Sequence, residues 1–260
     1  MNTGTAVIDG MAKSPVAGFW RRLASIIIDA IVIALPFQML AAVLFAMTAG
    51  TVQMQSGFFS SCENGGKDQI SEQLRPLAPR DSNFITTCRT SLFGATTGRT
   101  LTVGRATREG NLTTTVTMSY MQDQEGTIIK GTDIGWIFNL TLMIYLVAMI
   151  WMTGRTLGGR AVRIRVIDTA NPDAGEVPLR KAIVRYLVMS IGFMPGAAFY
   201  AYQYWSKGGI ADQMFTAGAF PMYAATVVLA TLWALVLIVQ IARKADPIYD
   251  RLAGTSVRRA

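Results

Sequence analysis

The chain has 260 residues, of which 51% are hydrophobic and 15% charged, and its mean hydropathy is +0.35. So few charges on so apolar a chain exclude a typical soluble domain and favour a membrane protein. The sequence has no histidine and two cysteines, which excludes Ser/His/Asp triads and the common zinc sites. No nucleophile with an oriented base is visible, so we expect no enzyme, no metal and no cofactor.

Four stretches are long and apolar enough to cross the roughly 30 Å hydrocarbon core of a bilayer. They cover residues 26–49, 134–153, 183–205 and 220–242. The sequence therefore predicts an all-α membrane protein, built as a four-helix transmembrane bundle. A cleaved signal peptide that ends at residues 46–50 is the alternative interpretation of the first stretch.

The distribution of basic residues predicts the side of the membrane on which each connecting segment lies. Residues 1–25, 154–182 and 243–260 together carry the whole net charge of +8, whereas residues 50–133 and 206–219 are each neutral. Because Lys and Arg near span ends are retained in the cytoplasm, we expect the first three segments to be cytoplasmic and the other two to be extracytoplasmic. The positive charge then predicts contact with anionic membrane lipids, and not with nucleic acid.

Residues 50–133 are expected to form a small β-rich insertion between the first and second spans. Cys62 and Cys88 lie in this segment. In an oxidising compartment they predict one disulfide, which would stabilise the insertion by about 3 kcal/mol, and two unpaired thiols are the alternative. Alternating polarity predicts strands over residues 99–107, 112–121 and 127–130. Such an insertion either binds a partner or is only solvated.

Residues 161–168 of the middle loop alternate in polarity with a period of two, which predicts a strand. A turn over residues 171–175 then predicts a cytoplasmic β-hairpin, in which residues 176–179 pair back onto that strand. The face that carries Arg163 and Arg165 is expected to rest on lipid phosphates, with an anionic-ligand site as the alternative.

The first span brings polar side chains into the membrane. Arg22, Ser25 and Asp29 are three and four residues apart, so they share one face of a helix. A charged carboxylate deep in a bilayer costs about 2.5–3.5 kcal/mol on insertion scales, so Asp29 needs a partner. Two interpretations stay open: an internal ion pair with Arg22 or Arg185, or a site that couples to protons or ions.

Three blocks of sequence lie at the predicted cytoplasmic ends of the spans. They are GFWRRLASIIIDA at residues 18–30, GRTLGGRAVRIRVIDTANPDAGEVPLRKAIVRYLV at 154–188 and DPIYDRLAGTSV at 246–257. Together they resemble the RDD family of small integral membrane proteins, whose name refers to one arginine and two aspartates. The resemblance implies that Arg22, with Arg21 beside it, and Asp29 form the first motif. It implies that the second aspartate is Asp250 or, alternatively, Asp168.

The resemblance extends to the glycine-rich loop and strand after the second span. The matching residues are Gly154, Thr156, Leu157, Gly158 and Arg165. In the tail, Asp250 and Arg251 are expected to return to the cytoplasmic side near Arg22, as a clasp or as a gate. Tyr249 stands where the family often has a histidine, so a proton role for that imidazole does not apply here. What the resemblance implies about activity is a transport-related protein without an agreed substrate.

Two functional hypotheses follow from these features. The first is a small ion-coupled transporter that uses Asp29 in a polar crevice, with helix breaks at Pro36 and Pro195. Four spans are few for a transport path, so this hypothesis requires a homo-oligomer or a larger membrane complex. The second is a non-transporting scaffold or assembly subunit of such a complex. The expected location is the cytoplasmic (inner) membrane of a bacterium, with a multi-pass chain and both termini in the cytoplasm.

Overall fold

The structure is a computed structural model, and it describes residues 15–70, 72, 74–110, 112–206 and 220–260. Most of the predicted N-terminal segment, residues 1–14, and of the predicted short loop, residues 207–219, lies outside the described residues. The described residues form two compact units. The first unit consists of the described parts of Met1–Ala34, Asn139–Ala197 and Thr226–Ala260, and the second of those of Leu35–Phe138 and Ala198–Ala225.

The described part of the chain contains seven α-helices. In chain order they are α1 (Phe19–Met47), α2 (Gly135–Thr153), α3 (Leu157–Ala161), α4 (Leu179–Ser190), α5 (Met194–Ser206), α6 (Phe220–Ala242) and α7 (Ile248–Ala253). Three of them, α1, α2 and α6, are long and apolar enough to cross a membrane, judged by length and composition. These three helices correspond to the predicted spans 26–49, 134–153 and 220–242.

The prediction of an all-α, four-helix transmembrane bundle is wrong, because the predicted span 183–205 is not one helix. α4 and α5 are separated by a turn at residues 191–193, and neither is long enough to be a candidate span. Pro195 has no N–H to donate and is therefore accommodated in the first turn of α5. Gly192 lies against Trp233 so closely that an added Cβ would come within 3.0 Å of the side chain. The fold combines helices with nine strands in the described residues.

The second unit contains a five-stranded antiparallel sheet in the order β2-β3-β4-β5-β6, and a short parallel pair of β1 and β7. The strands are β1 (Val52–Gln53), β2 (Phe59–Gly66), β3 (Phe84–Leu92), β4 (Ala95–Glu109), β5 (Leu112–Gln122), β6 (Ile128–Ile129) and β7 (Thr132–Asp133). The sheet is larger than predicted because β2 and β3 precede the three strands that alternating polarity indicates. The disulfide prediction is confirmed, since Cys62 of β2 is bonded to Cys88, its register partner on β3.

The first unit contains a two-stranded antiparallel sheet of β8 (Ile164–Asp168) and β9 (Thr255–Arg259). The predicted hairpin with residues 176–179 is wrong, because β8 pairs with the C-terminal strand instead. Val16 forms a bridge to the other edge of β9. The described residues just before α1, the middle loop and the tail therefore meet around one buried core. Its residues include Ala17, Ile164, Val166, Val177, Tyr186 and Val257.

The strand β8 is shorter than the predicted strand over residues 161–168. Residue 161 still belongs to α3, and Arg163 takes a left-handed φ of 57° before β8 begins. The expected exposed arginine face is also only partly present, because Ile167 is buried and Arg165 is half-buried. β8 is thus covered on both faces, which suits the buried core and leaves little of the strand for lipid phosphates.

Candidate functional site

Asp29 is almost completely buried on α1, with 2% of its surface exposed, and it accepts hydrogen bonds on both carboxylate oxygens. Its Oδ1 accepts from the backbone nitrogen of Gly158 at 2.7 Å and from the hydroxyl of Tyr145 at 2.9 Å. Its Oδ2 accepts from the hydroxyls of Thr156 at 2.5 Å and Ser25 at 3.4 Å. We call these five residues the loop clamp, because they hold the loop after α2 against α1.

The donors of the loop clamp are oriented by the start of α3. Thr156 caps this helix, and its Oγ1 accepts from the backbone nitrogen of Gly159 at 3.0 Å, so its own proton points to Asp29. The hydroxyl of Tyr145 accepts from the backbone nitrogen of Leu157 at 3.0 Å and likewise donates to the carboxylate. Thr156 and Tyr145 thus each accept a hydrogen bond from a backbone nitrogen and donate one to the carboxylate of Asp29, which is only an acceptor.

Gly158 is needed for the close approach of the loop to α1. A Cβ at this position would lie 2.9 Å from Oδ2 of Asp29 and closer still to the carbonyl oxygen of Ser25. Real Cβ atoms do not come so close to backbone oxygens, so any larger residue would force the loop away from α1. The glycine therefore allows its own N–H to reach the carboxylate.

Asp29 has no ion pair with an arginine or lysine among the residues that the structure describes. Arg22 and Arg185, the two predicted partners, both pair with Asp250 instead. The neighbours of Asp29 are backbone and hydroxyl donors, which satisfy a buried carboxylate without a counter-ion.

Asp250 is the centre of a second buried cluster and has 0% of its surface exposed. Its Oδ2 accepts from Nη1 of Arg22 at 2.8 Å. Its Oδ1 accepts from the hydroxyl of Thr255 at 3.0 Å and pairs with Nη1 of Arg185. We call Arg22, Arg185, Asp246, Asp250 and Thr255 the tail clasp, because they hold the C-terminal residues against α1 and α4.

Asp246 and Tyr249 complete the surroundings of the tail clasp. Oδ1 of Asp246 lies 3.6 Å from Nη2 of Arg22, and its carboxylate accepts from the hydroxyl of Ser256 at 2.8 and 2.9 Å. The guanidinium carbon of Arg185 lies 5.0 Å from the centre of the Tyr249 ring, within the range of a cation–π contact. Each buried arginine thus meets a carboxylate, and Arg185 also meets an aromatic face, as buried cations require.

Asp168 lies outside both clusters, at the end of β8. Its carboxylate accepts from Nζ of Lys181 and from the backbone nitrogen of Ala170. Burial acts to raise the pKa of Asp168, but these hydrogen bonds and the charge of Lys181 outweigh it, so the pKa lies below its ordinary value. Of the two candidates for the second aspartate, the structure thus brings Asp250 to Arg22, and it brings Asp168 to a lysine.

The other predicted site residues lie outside the two clusters, in the first unit or along α1. Arg21 donates to a backbone carbonyl of the middle loop at 3.3 Å, and Arg251 is exposed. Gly154 ends α2 with a φ of 63°, and Arg165 donates to the carbonyl oxygen of Gly175. Pro36 lies inside α1 without ending it, so it does not produce the predicted helix break.

Sequence reasoning missed Tyr145 and Asp246. Tyr145 is the one tyrosine of a mostly apolar helix, and a phenolic hydroxyl at that position is the signal that could have identified it. Asp246 precedes a proline just after a basic helix end, a pattern that indicates a turn and no particular partner. Among the described residues, no three Asp, Glu, His or Cys side chains are grouped so as to hold a metal ion.

Comparison with protein-family models gives one result. The model described as the RDD family matches residues 16–254, nearly the whole chain, and this range includes the loop clamp and every residue of the tail clasp except Thr255. No match is found among the curated proteins or among the solved structures.

Proposed function

The chain belongs to the RDD family, and from this membership and its two buried clusters we propose that this membrane protein is a non-transporting scaffold or assembly subunit. The three apolar helices of membrane-spanning length anchor it in the bilayer. The observation that carries the proposal is the state of Asp29, whose carboxylate is buried and saturated by protein donors.

A carboxylate that couples transport must exchange a proton or an ion with water during each cycle. Asp29 would have to give up hydrogen bonds to Gly158, Thr156 and Tyr145 to do so. Each bond lost without replacement would leave a buried donor unsatisfied, at a cost of about 1–3 kcal/mol. This geometry favours a structural role for Asp29, since the carboxylate holds the loop rather than lining a crevice.

The tail clasp supports the same proposal. Arg22 and Asp250 are separated by 228 positions in the sequence, so their contact joins the start of α1 to the tail. Arg185 adds α4 to this junction through the same carboxylate. Removing one member of a buried ion pair costs more than the pair contributes, because it leaves a buried charge without a partner. A cluster of this kind favours one fixed arrangement of the segments, which suits a surface for assembly.

We place the chain in the cytoplasmic membrane of a bacterium, with the assembled N-terminal segment, middle loop and tail in the cytoplasm, because these segments carry the excess of Lys and Arg. The partner is a second copy or a larger membrane complex, and anionic lipids contact the basic side.

The experiment compares ion flux, stability and assembly in one purified set of proteins. Wild type, Asp29→Asn and the control Asp81→Asn, whose aspartate side chain is 85% exposed, are reconstituted into liposomes under proton and sodium gradients. We expect no flux above empty liposomes for any of the three proteins. We also expect a lower unfolding temperature for Asp29→Asn alone, and a stoichiometric cross-linked partner or second copy in native membranes. Wild-type flux that Asp29→Asn abolishes at an unchanged unfolding temperature would overturn the proposal in favour of the ion-coupled transporter.

A further inference from the structure

The turn between β3 and β4 exposes a phenylalanine in an unfavourable conformation. Phe93 and Gly94 form a two-residue turn, with Leu92 paired to Ala95, and their φ values are 47° and 89°. Such a turn normally carries Asn-Gly or Asp-Gly, because its first residue must adopt a left-handed conformation that a bulky side chain disfavours. Phe93 is nevertheless 82% exposed, so neither the turn nor a protein core accounts for an aromatic residue at this position.

Two further aromatic side chains accompany Phe93. Phe59 is 54% exposed and its ring centre lies 6.1 Å from that of Phe93, and Phe58 is 46% exposed. We call Phe58, Phe59 and Phe93 the aromatic tip. The rings of Phe59 and Phe93 are in contact and Phe58 directly precedes Phe59 in the sequence, and exposed aromatic groups of this kind mark a surface that meets something other than water.

The turn is held firmly by its own strands. The guanidinium of Arg89 donates to the hydroxyl of Thr96 at 2.6 Å and to the carbonyl oxygen of Gly94 at 2.8 Å. One arginine thus bridges the end of β3 to the start of β4. The exposure of Phe93 is therefore a property of the folded hairpin and not of a frayed end.

The second unit includes the last turns of α1. The contacts between the sheet and this helix therefore show which part of the sheet lies beside which turn of α1. Arg99 donates to the carbonyl oxygen of Gln124 at 2.7 Å. Gln124 in turn donates to the carbonyl oxygens of Phe45 and Ala46, at 3.0 and 2.9 Å. The β5 side of the sheet therefore lies beside the C-terminal end of α1.

The β3 side of the sheet lies towards earlier residues of α1. Gln38 donates to the carbonyl oxygen of Ser56 at 3.4 Å, and a Cβ on Gly57 would lie within 4 Å of both Gln38 and Thr90. Thr90 of β3 is thus at the level of Gln38, which precedes Phe45 by about 10 Å of helix rise. Arg99 pairs with Arg89, next to Thr90, so α1 crosses the strands here. The direction from Phe45 to Gln38, which leads along α1 into the membrane, therefore runs across the sheet to its edge strand β2, where the ring of Phe59 contacts that of Phe93.

The start of α2 marks the membrane surface at this level. Ser56 is adjacent to Gly135, the first residue of α2, since a Cβ there would lie 3.1 Å from its Oγ. The next residue, Trp136, is 64% exposed, and tryptophan is enriched where a spanning helix enters the interface. From the common level of Gln38, Ser56 and Trp136, we infer that the aromatic tip inserts into the lipid leaflet at the membrane face where α1 leaves and α2 enters the bilayer.

The experiment measures the depth of single positions in the full-length protein. The two native cysteines are bonded to each other, so one added cysteine is the only thiol available to an environment-sensitive fluorophore. Phe93→Cys and Phe58→Cys are labelled, together with the control Val116→Cys, an exposed apolar residue of β5 that pairs with Arg105 in the distal half of β4. Each protein is reconstituted into vesicles with or without lipids that carry a quencher on the acyl chain, and iodide is the aqueous quencher.

We expect the labels at positions 93 and 58 to lose most of their fluorescence to the acyl-chain quencher and little to iodide. The label at position 116 should show the reverse. Iodide quenching at position 93 equal to that at 116 would overturn the inference, because the tip would then lie in water. Protection from both quenchers would overturn it as well, because a second copy or a partner protein would then cover the tip. If Phe93→Cys does not fold, the label at position 58 gives the same decision.

Discussion

Replacing Gly158 by alanine is expected to open the loop clamp. The added Cβ would lie 2.9 Å from Oδ2 of Asp29 and closer to the carbonyl oxygen of Ser25. Neither neighbour can yield easily, because the carbonyl belongs to the backbone of α1 and the carboxylate is held by its other donors. The loop must therefore move, and the hydrogen bond of 2.7 Å from the Gly158 nitrogen to Asp29 is the first to break.

The size of the effect follows from the number of bonds lost. A hydrogen bond to a charged group contributes about 1.5–3 kcal/mol. The neighbouring bond from Thr156 to Asp29, at 2.5 Å, depends on the same loop position. We therefore expect Gly158→Ala to lower the free energy of unfolding by about 2–5 kcal/mol. Alanine favours a helix over glycine by about 0.5–1 kcal/mol, which acts in the opposite direction and is smaller.

Thermal unfolding of the full chain in a mild detergent measures this change, and the expected fall in unfolding temperature is on the order of 10 °C. Gly66→Ala is the matched control, since a Cβ at that position meets nothing within 4 Å. The double variant Asp29→Asn with Gly158→Ala should lose less than the sum of the single variants, because both remove the same bond. An unfolding temperature for Gly158→Ala that matches the control would show that the close approach of this loop does not hold the fold.

Three further expectations concern the other clusters. Arg22→Ala should lower the free energy of unfolding by about 3–5 kcal/mol, because it leaves Asp250 short of a buried partner; an unchanged denaturation midpoint in detergent would contradict this. Asp168 has a lowered pKa in the folded protein. Its contribution to the free energy of unfolding is therefore complete above the ordinary aspartate pKa of about 3.9, and it is lost as the pH falls through the pKa of the folded state. Lys181→Met should therefore flatten the acid end of the stability profile, and equal acid slopes would argue against it. Reducing the disulfide should destabilise the five-stranded sheet by about 3 kcal/mol and speed amide exchange in β2 more than in β5; equal exchange in both strands would refute that.

The three candidate spans could be predicted because a long apolar helix is a property of the local sequence. α6 coincides with the predicted stretch 220–242, and α2 begins one residue after the predicted start at 134. α1 begins at Phe19, before the predicted start at 26, because Arg22 is part of the helix and its charge is neutralised by the tail. A hydropathy scan treats such an arginine as the end of a span, since it has no information on a distant carboxylate.

The third span and the cytoplasmic hairpin could not be predicted for a related reason. An average over residues 183–205 conceals the turn at residues 191–193, although the predicted helix break at Pro195 lies close to it, and Gly192 of this turn packs closely against Trp233 from another helix. Polarity alternation identified the strand β8, but not its partner, because β9 is short and ends in two arginines. A strand pattern fixes which residues alternate, and the pairing depends on segments that become neighbours only in the folded chain.

The polar face of α1 shows why the candidate residues were identified and their partners were not. Arg22 and Asp29 lie on one face of the helix, but seven residues correspond to about 10 Å of rise, which is too far for them to pair with each other. Each charge therefore takes its partners from another part of the chain: Asp29 from the loop after α2, and Arg22 from the tail. The donors to Asp29 are one backbone nitrogen and three hydroxyls, groups that carry no charge signature in a sequence. It follows that a single helix face holds two separate segments in place, and that neither can leave without exposing a buried charge to an apolar surrounding.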